Sequence, residues 1–185
     1  MELNQKMLKN DQDKMLFLGA NTPDGFVGFY NNIIEMYDLK KLYILKGGSG
    51  LGKSTFIKKF ASHFANESKD FFMCSGDPNS LDGVVITSLG LGVIDGTHPH
   101  AIDPKFPGIV DEIVNLGEHI DWTKIKATRE QLSELLETKK RLYETAFFNL
   151  SKARETHIQI EDIYKNAVDF DALGIKLKHI LSKHS

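Results

Sequence analysis

Apolar and polar positions follow two different rhythms along this chain, and the change comes near residue 121. Before that point, short apolar runs stand between turn-forming residues. Leu42, Tyr43, Ile44 and Leu45 make one run, Phe71, Phe72, Met73 and Cys74 a second. Val84, Val85 and Ile86 make a third, and Leu91, Val93 and Ile94, interrupted by Gly92, a fourth. Runs of this length bounded by breakers predict buried strands. Met15 to Leu18 add a short strand or apolar anchor. A helix is predicted over 54–64, where Phe56, Ile57, Phe60, Ala61 and Phe64 share one face. Phe26, Phe29, Tyr30, Ile33, Ile34 and Tyr37 predict another over 26–37, capped by the turn chemistry of residues 21–25. A third is predicted over 107–116, with Pro107 at its start and Gly117 at its end. Strand and helix alternate, which predicts an α/β fold: a parallel sheet of about three to five strands flanked by helices.

Beyond residue 121 the breakers vanish, with neither Gly nor Pro between Gly117 and Gly174. Leu132, Leu136, Lys139, Tyr143, Ala146, Leu150, Ala153, His157, Ile160 and Tyr164 recur at spacings of four and three. That seam predicts a long helix or an antiparallel helical pair, interrupted chemically at Lys139 and His157. Tyr143, Phe147 and Phe148 carry large apolar area, so the seam is expected to pack on the sheet or pair with another chain. The chain therefore divides into a core over 1–121 and a helical C-terminal section over 122–185. The polar residues 1–14 read as a frayed lead-in or short helix.

Composition narrows the picture modestly. Twenty-three basic and 25 acidic residues give a net charge of −2, which supplies no general attraction to nucleic acid or an anionic membrane. The single cysteine, Cys74, excludes an intramolecular disulfide, and the polar N-terminus lacks the apolar segment of a signal peptide. A cytoplasmic protein is expected.

The densest chemistry lies between the first predicted strand and its helix. Gly47, Gly48, Ser49, Gly50, Leu51, Gly52, Lys53 and Ser54, followed by Thr55, satisfy G-x-x-x-x-G-K-[ST] in full. Glycines permit the positive φ angles that turn backbone N–H groups inward onto phosphate oxygens. The helix N-terminus adds free N–H groups and its positive dipole end. Lys53 is expected to bridge β- and γ-phosphates, and the Ser54 hydroxyl to ligate Mg²⁺. The acidic partner for the metal is expected to be Asp95, which ends the fourth run, with Asp77 and Asp82 as competitors; Asp95 before Gly96 also fits a plain turn.

The chain resembles a bacterial family of P-loop ATPase-like proteins, whose members are labelled ATPases or nucleotide kinases. The resemblance rests on residues 18–26, on 45–55 with the glycine motif, and on the run Cys74-Ser75-Gly76-Asp77-Pro78-Asn79-Ser80-Leu81-Asp82-Gly83-Val84. It continues through 93–100 and 103–108. Such proteins look like tandem duplications of two P-loop units in a chain about twice this length. The resemblance implies that this chain is a single-repeat relative or the N-terminal part of a longer protein.

Asp77, Ser80, Asp82, Asp95, Thr97, His98, His100 and Asp103 all follow predicted strand ends, the edge where open parallel sheets bind ligands. Asp77 and Asp82 are the candidates for orienting an acceptor or water, although each also suits a turn or helix cap. Cys74, His98, His100 and Asp103 have poor spacing for zinc. Glycine follows Asp95 where motor ATPases carry a glutamate, and only Arg129, Arg141 and Arg154 are available to neutralise a transferring phosphoryl group. The expected function is a Mg²⁺-dependent, ATP-binding P-loop NTPase, a slow ATPase. The alternatives are a phosphotransferase acting on a small molecule or nucleotide, and a nucleotide-dependent binding switch. A homodimer or a second P-loop unit is the expected partner of the helical section.

Overall fold

The computed structural model describes residues 12–184, so most of the polar lead-in lies outside the described residues. The core is a six-stranded mixed sheet built from β1 (Lys14–Leu16), β4 (Lys41–Lys46), β5 (Lys69–Met73), β6 (Leu81–Ile86), β7 (Leu91–Asp95) and β8 (Asp111–Asn115), in the spatial order β1-β5-β6-β7-β4-β8. A separate hairpin pairs β2 (Gly19–Thr22) with β3 (Gly25–Gly28). The helices are α1 (Ile33–Tyr37), α2 (Lys53–His63), α3 (Trp122–Ala127), α4 (Arg129–Lys165) and α5 (Phe170–Leu181).

The α/β expectation stands, and the wholly parallel sheet does not. β5, β6 and β7 form an antiparallel meander, while β1–β5, β7–β4 and β4–β8 pair in parallel. Only β6 opposes the other five strands. The connections explain this: four residues between β6 and β7 can close a hairpin and cannot carry a crossover helix.

Each face of the sheet is covered. Leu45, Phe71, Met73, Leu81, Val84, Ile86 and Val93 meet Ile57 and Ala61 of α2. On the other face, Leu42, Ile44, Phe72, Val85 and Ile94 meet Leu18, Tyr30, Ile33, Leu39 and Ile102. β4, β6 and β7 are apolar on both sides because both sides are buried.

Two predicted helices are corrected. Residues 25–28 are strand, not helix, because the 21–25 turn closes a hairpin: Thr22 pairs with Gly25, and the Thr22 hydroxyl donates to the Gly25 carbonyl at 2.7 Å. The helical rhythm survives only in a 3₁₀ turn (Tyr30–Asn32) and α1. The 107–116 helix is absent, and β8 lies there along β4 as a parallel edge strand. Its lead-in is tied by Asp111, whose buried carboxylate accepts from the Lys105 and Phe106 N–H groups at 2.6 and 2.7 Å.

The helical C-terminal section is present as one 37-residue helix, α4, followed by α5. None of its described residues is buried, and its tertiary contact with the core runs chiefly to β2. Among the described residues no helix is long and apolar enough to cross a membrane.

Candidate functional site

Because five strands run the same way, their C-terminal ends share one edge, and β6 starts from that edge. β4 leaves it into the loop 47–52, which turns into α2. Gly50 and Gly52 adopt φ of +86° and +82°, values that an L side chain resists. A Cβ placed on Gly48, Gly50 or Gly52 would meet nothing within 4 Å, so the outside of the loop is open space. Lys53 heads α2 and folds back: its Nζ donates to the carbonyls of Gly47 (2.6 Å) and Gly48 (3.0 Å).

Strand register brings the acid to this lysine. Leu45 pairs with Asp95, so the end of β7 lies level with the end of β4. Asp95 is 8% exposed; its Oδ2 stands 3.6 Å from Lys53 Nζ. Its Oδ1 accepts from the Thr97 N–H at 2.9 Å and the Thr97 hydroxyl at 2.6 Å. The turn expected at Asp95 therefore exists together with the lysine contact, using the other carboxylate oxygen. Lys46 closes the following loop by donating to the Gly96 and Ile102 carbonyls at 2.8 and 2.6 Å. Ser54 Oγ accepts the Leu81 N–H at 3.0 Å, joining the start of α2 to the start of β6.

Asp82 reaches the same region through an irregularity. Met73 pairs with Leu81 and Phe72 with Gly83, so Asp82 is the extra residue of a bulge. The bulge turns Asp82 towards Tyr30 and His100, away from the α2 face that takes Leu81. Gly83 makes this possible, since a Cβ there would lie 3.0 Å from Phe72 Cδ2 and from the Val93 carbonyl. Asp82 is buried, and its Oδ2 accepts the Tyr30 hydroxyl at 3.0 Å and faces His100 Nε2 at 3.2 Å.

The His100 ring is stacked on Tyr30 at 4.6 Å and lies edge-on to Phe26. Its Nδ1 is buried with no hydrogen-bond partner. Burial pulls the imidazole pKa down, but the hydrogen bond to Asp82 and the charges of Asp82 and Asp95 outweigh it and hold the pKa above its ordinary value. Burial, reinforced by the Asp82 charge, pushes the Tyr30 phenol far upward, so it acts as a donor. Asp82, Asp95 and His100 each offer a ligand atom within 4.8 Å of the others.

The remaining sequence candidates separate. Asp77 is exposed and its carboxylate accepts the Asn79 N–H at 3.0 Å, so it closes the 75–80 loop instead of joining Asp82. His98 and Asp103 are exposed, and Ser49, Gly50 and Thr55 face solvent around the loop. Cys74 is half-buried, its thiol pushed up first by burial and then by the Asp82 charge. Tyr30 and Lys46 escaped sequence reading. Tyr30 carries the signal of a core aromatic, and Lys46 that of an ordinary strand-end lysine.

Comparison with known proteins gave no match to any family model, to any curated protein or to any solved structure.

Proposed function

We propose that this chain is a Mg²⁺-dependent, ATP-binding P-loop NTPase that hydrolyses ATP slowly. The observation carrying the reading is the convergence at Lys53: its ammonium sits at the head of α2, against the glycine-loop carbonyls and 3.6 Å from a buried carboxylate on a neighbouring strand. The backbone N–H groups of residues 47–52 would cradle phosphate, Lys53 would exchange its loop carbonyls for phosphate oxygens, and Ser54 and Asp95 would hold the metal. When bound, Mg²⁺ supplies charge neutralisation for the departing diphosphate.

The slow rate follows from position 96. A Cβ there would stand 2.3 Å from Ile44 Cγ2, so no glutamate fits directly after Asp95. Arg141 and Arg154 lie exposed on α4; Arg154 is engaged with Asp24, and neither comes from the glycine loop.

The binding-switch reading has an observation of its own. α4 crosses the site-bearing edge, where a Cβ on Gly76 would lie 3.0 Å from the Tyr143 hydroxyl. Gly76 belongs to the loop that follows β5, beside the strand carrying Asp82. Nucleotide binding can therefore bias the arm through that loop.

The deciding experiment measures ADP release from Mg-ATP by this chain and by Lys53→Ala, with nucleotide binding followed in parallel. Slow turnover lost with Lys53 is the expected result, and acceleration by an added acceptor would move the reading to a phosphotransferase. Tight Lys53-dependent binding with no turnover would select the switch. Absence of binding would remove all three.

A further inference from the structure

We propose that Asp82, Asp95 and His100 form a binding site for a divalent cation that accepts imidazole nitrogen as well as carboxylate oxygen, of the Mn²⁺ class. The three residues come from separate elements: the β6 bulge, the end of β7 and the loop that follows it. Their ligand atoms lie within 4.8 Å of one another. Asp82 Oδ2 and His100 Nε2, 3.2 Å apart, are near the separation of adjacent ligands on a cation with bonds of about 2.1–2.2 Å. A small closure of Asp95 brings a third ligand to the ion, with water free to fill the rest of the shell.

His100 supplies the second, independent observation. Its side chain is 5% exposed, and its Nδ1 has no partner. The ring packs into a three-ring cluster with Tyr30 and Phe26, which keeps that nitrogen away from bulk water. An imidazole with one nitrogen against a carboxylate and the other unpartnered and buried has the arrangement of a metal-ligating histidine. If Nδ1 binds the ion, the Nε2–H donates to Asp82, which fixes the ring; if Nε2 binds it, Asp82 stands beside it as a fellow ligand.

Charge points the same way. Two carboxylates are buried here, at 4% and 8% exposure, and Lys53 stands near one of them only. In the nucleotide reading Lys53 moves to phosphate, which leaves Asp95 and Asp82 facing each other with less positive charge nearby. A divalent cation restores the balance; it is a second ion beside the nucleotide's Mg²⁺, with Asp95 shared between the two. The imidazole biases this second site away from Mg²⁺, which prefers an all-oxygen shell. The structural alternative is a closed ion network, His100 on Asp82 and Lys53 on Asp95, with no exogenous ion. The inference rests on the nucleotide reading only for what the ion serves; its binding is tested without nucleotide.

The probe is Mn²⁺ added to the chelator-stripped full chain and followed by electron paramagnetic resonance. One Mn²⁺ per chain is expected, with nitrogen coupling from imidazole on the bound ion and Mg²⁺ competing only in large excess. His100→Gln should abolish the nitrogen coupling, and His100→Gln and Asp82→Asn should each weaken binding about tenfold or more. Lys53→Ala should keep Mn²⁺ while losing nucleotide, which separates this inference from the functional reading. No Mn²⁺ binding, bound Mn²⁺ without nitrogen coupling, or wild-type affinity in both variants would each overturn it. Should His100→Gln lose its near-ultraviolet circular dichroism, the wild-type nitrogen coupling and Asp82→Asn decide the matter alone.

Discussion

At the scale of single residues, the site depends on where side chains are missing. Gly96 packs its α-carbon against β4, so that even a methyl group would approach Ile44 Cγ2 to 2.3 Å. Ile44 is fully buried and cannot retreat into solvent. Gly96→Ala should therefore destabilise the fold by about 1–3 kcal/mol, the usual penalty of overpacking a tight core. Urea unfolding measures it, and an unchanged midpoint would mean that β4 and β7 can part to admit the methyl group. The same glycine donates its N–H to the Leu45 carbonyl and accepts from Lys46 through its own carbonyl. Loss of nucleotide binding with the fold retained would show that the loop after Asp95 is positioned by this packing. The sequence motif announced Gly47, Gly48, Ser49, Gly50, Leu51, Gly52, Lys53 and Ser54, and it placed Asp95 by strand logic. It could not announce Asp82 as a neighbour of Asp95, because one extra residue in β6 decides which face that carboxylate takes. Bulges leave no periodic trace in a strand that is apolar on both sides.

At the scale of elements, strands with two buried faces were legible and edge elements were not. β4, β5, β6 and β7 read as apolar runs because every face is covered. β8 has a single strand neighbour and carries Asp111, Glu112, Ile113, Val114 and Asn115. Together with Ile109 and Val110, that spacing fits a helix as well as a strand, and pairing with β4 decides between them. The β2–β3 hairpin was misread for a related reason: its turn residues also suit a helix cap, and only the cross-strand partner distinguishes the two uses. The hairpin tip has a further role as the seat of α4, where Arg154 makes two hydrogen bonds to Asp24 at 2.6 and 2.9 Å. The Arg154 hydrogen bond holds the Asp24 carboxyl below its ordinary value. A depressed carboxylate contributes above its unfolded pKa and ceases to contribute as pH falls through the folded one. Docking of α4 on the hairpin should thus weaken as the solution is acidified below the ordinary carboxylate range, and in high salt at neutral pH, because the pair is exposed. Arg154→Ala should speed amide exchange at 143–154 and in the hairpin without shifting the core unfolding midpoint. Identical exchange in variant and wild type would remove this contact as the tether.

At the scale of the whole molecule, the core and the arm have opposite surfaces. The core buries the large apolar side chains of its central strands and leaves a few such as Phe29 and Ile109 exposed. On α4 and α5, by contrast, none is buried, and Leu135, Leu142, Phe148, Ile163, Tyr164, Phe170, Ile175 and Leu177 are all more than half exposed. The seam identified in sequence does not pack back on the sheet: Leu132, Leu136 and Leu150 are also exposed, and Tyr143 is only partly covered. The shallow groove at the crossing, lined by Asn21, Tyr143, Ala146, Phe147, Asn149 and Leu150, covers one short stretch of a 37-residue helix. Isolated helices draw little stability from propensity alone and need a packed apolar face, and contiguous exposed apolar area of this extent marks an interaction surface. Self-association through the arm is therefore the expected solution state. Sedimentation equilibrium of the full chain should give a mass that is a multiple of 20.8 kDa. Leu142→Lys combined with Ile163→Lys, both at exposed positions on α4 and remote from Lys53 in sequence, should return the monomer and lower the helical signal of the arm. Under the proposed function, nucleotide binding should survive in that double variant, because the proposed cradle draws on β4, β7 and the start of α2. A wild-type mass of one chain across the whole concentration range, with the arm still helical, would exclude pairing between copies and leave the apolar face to a partner of different sequence.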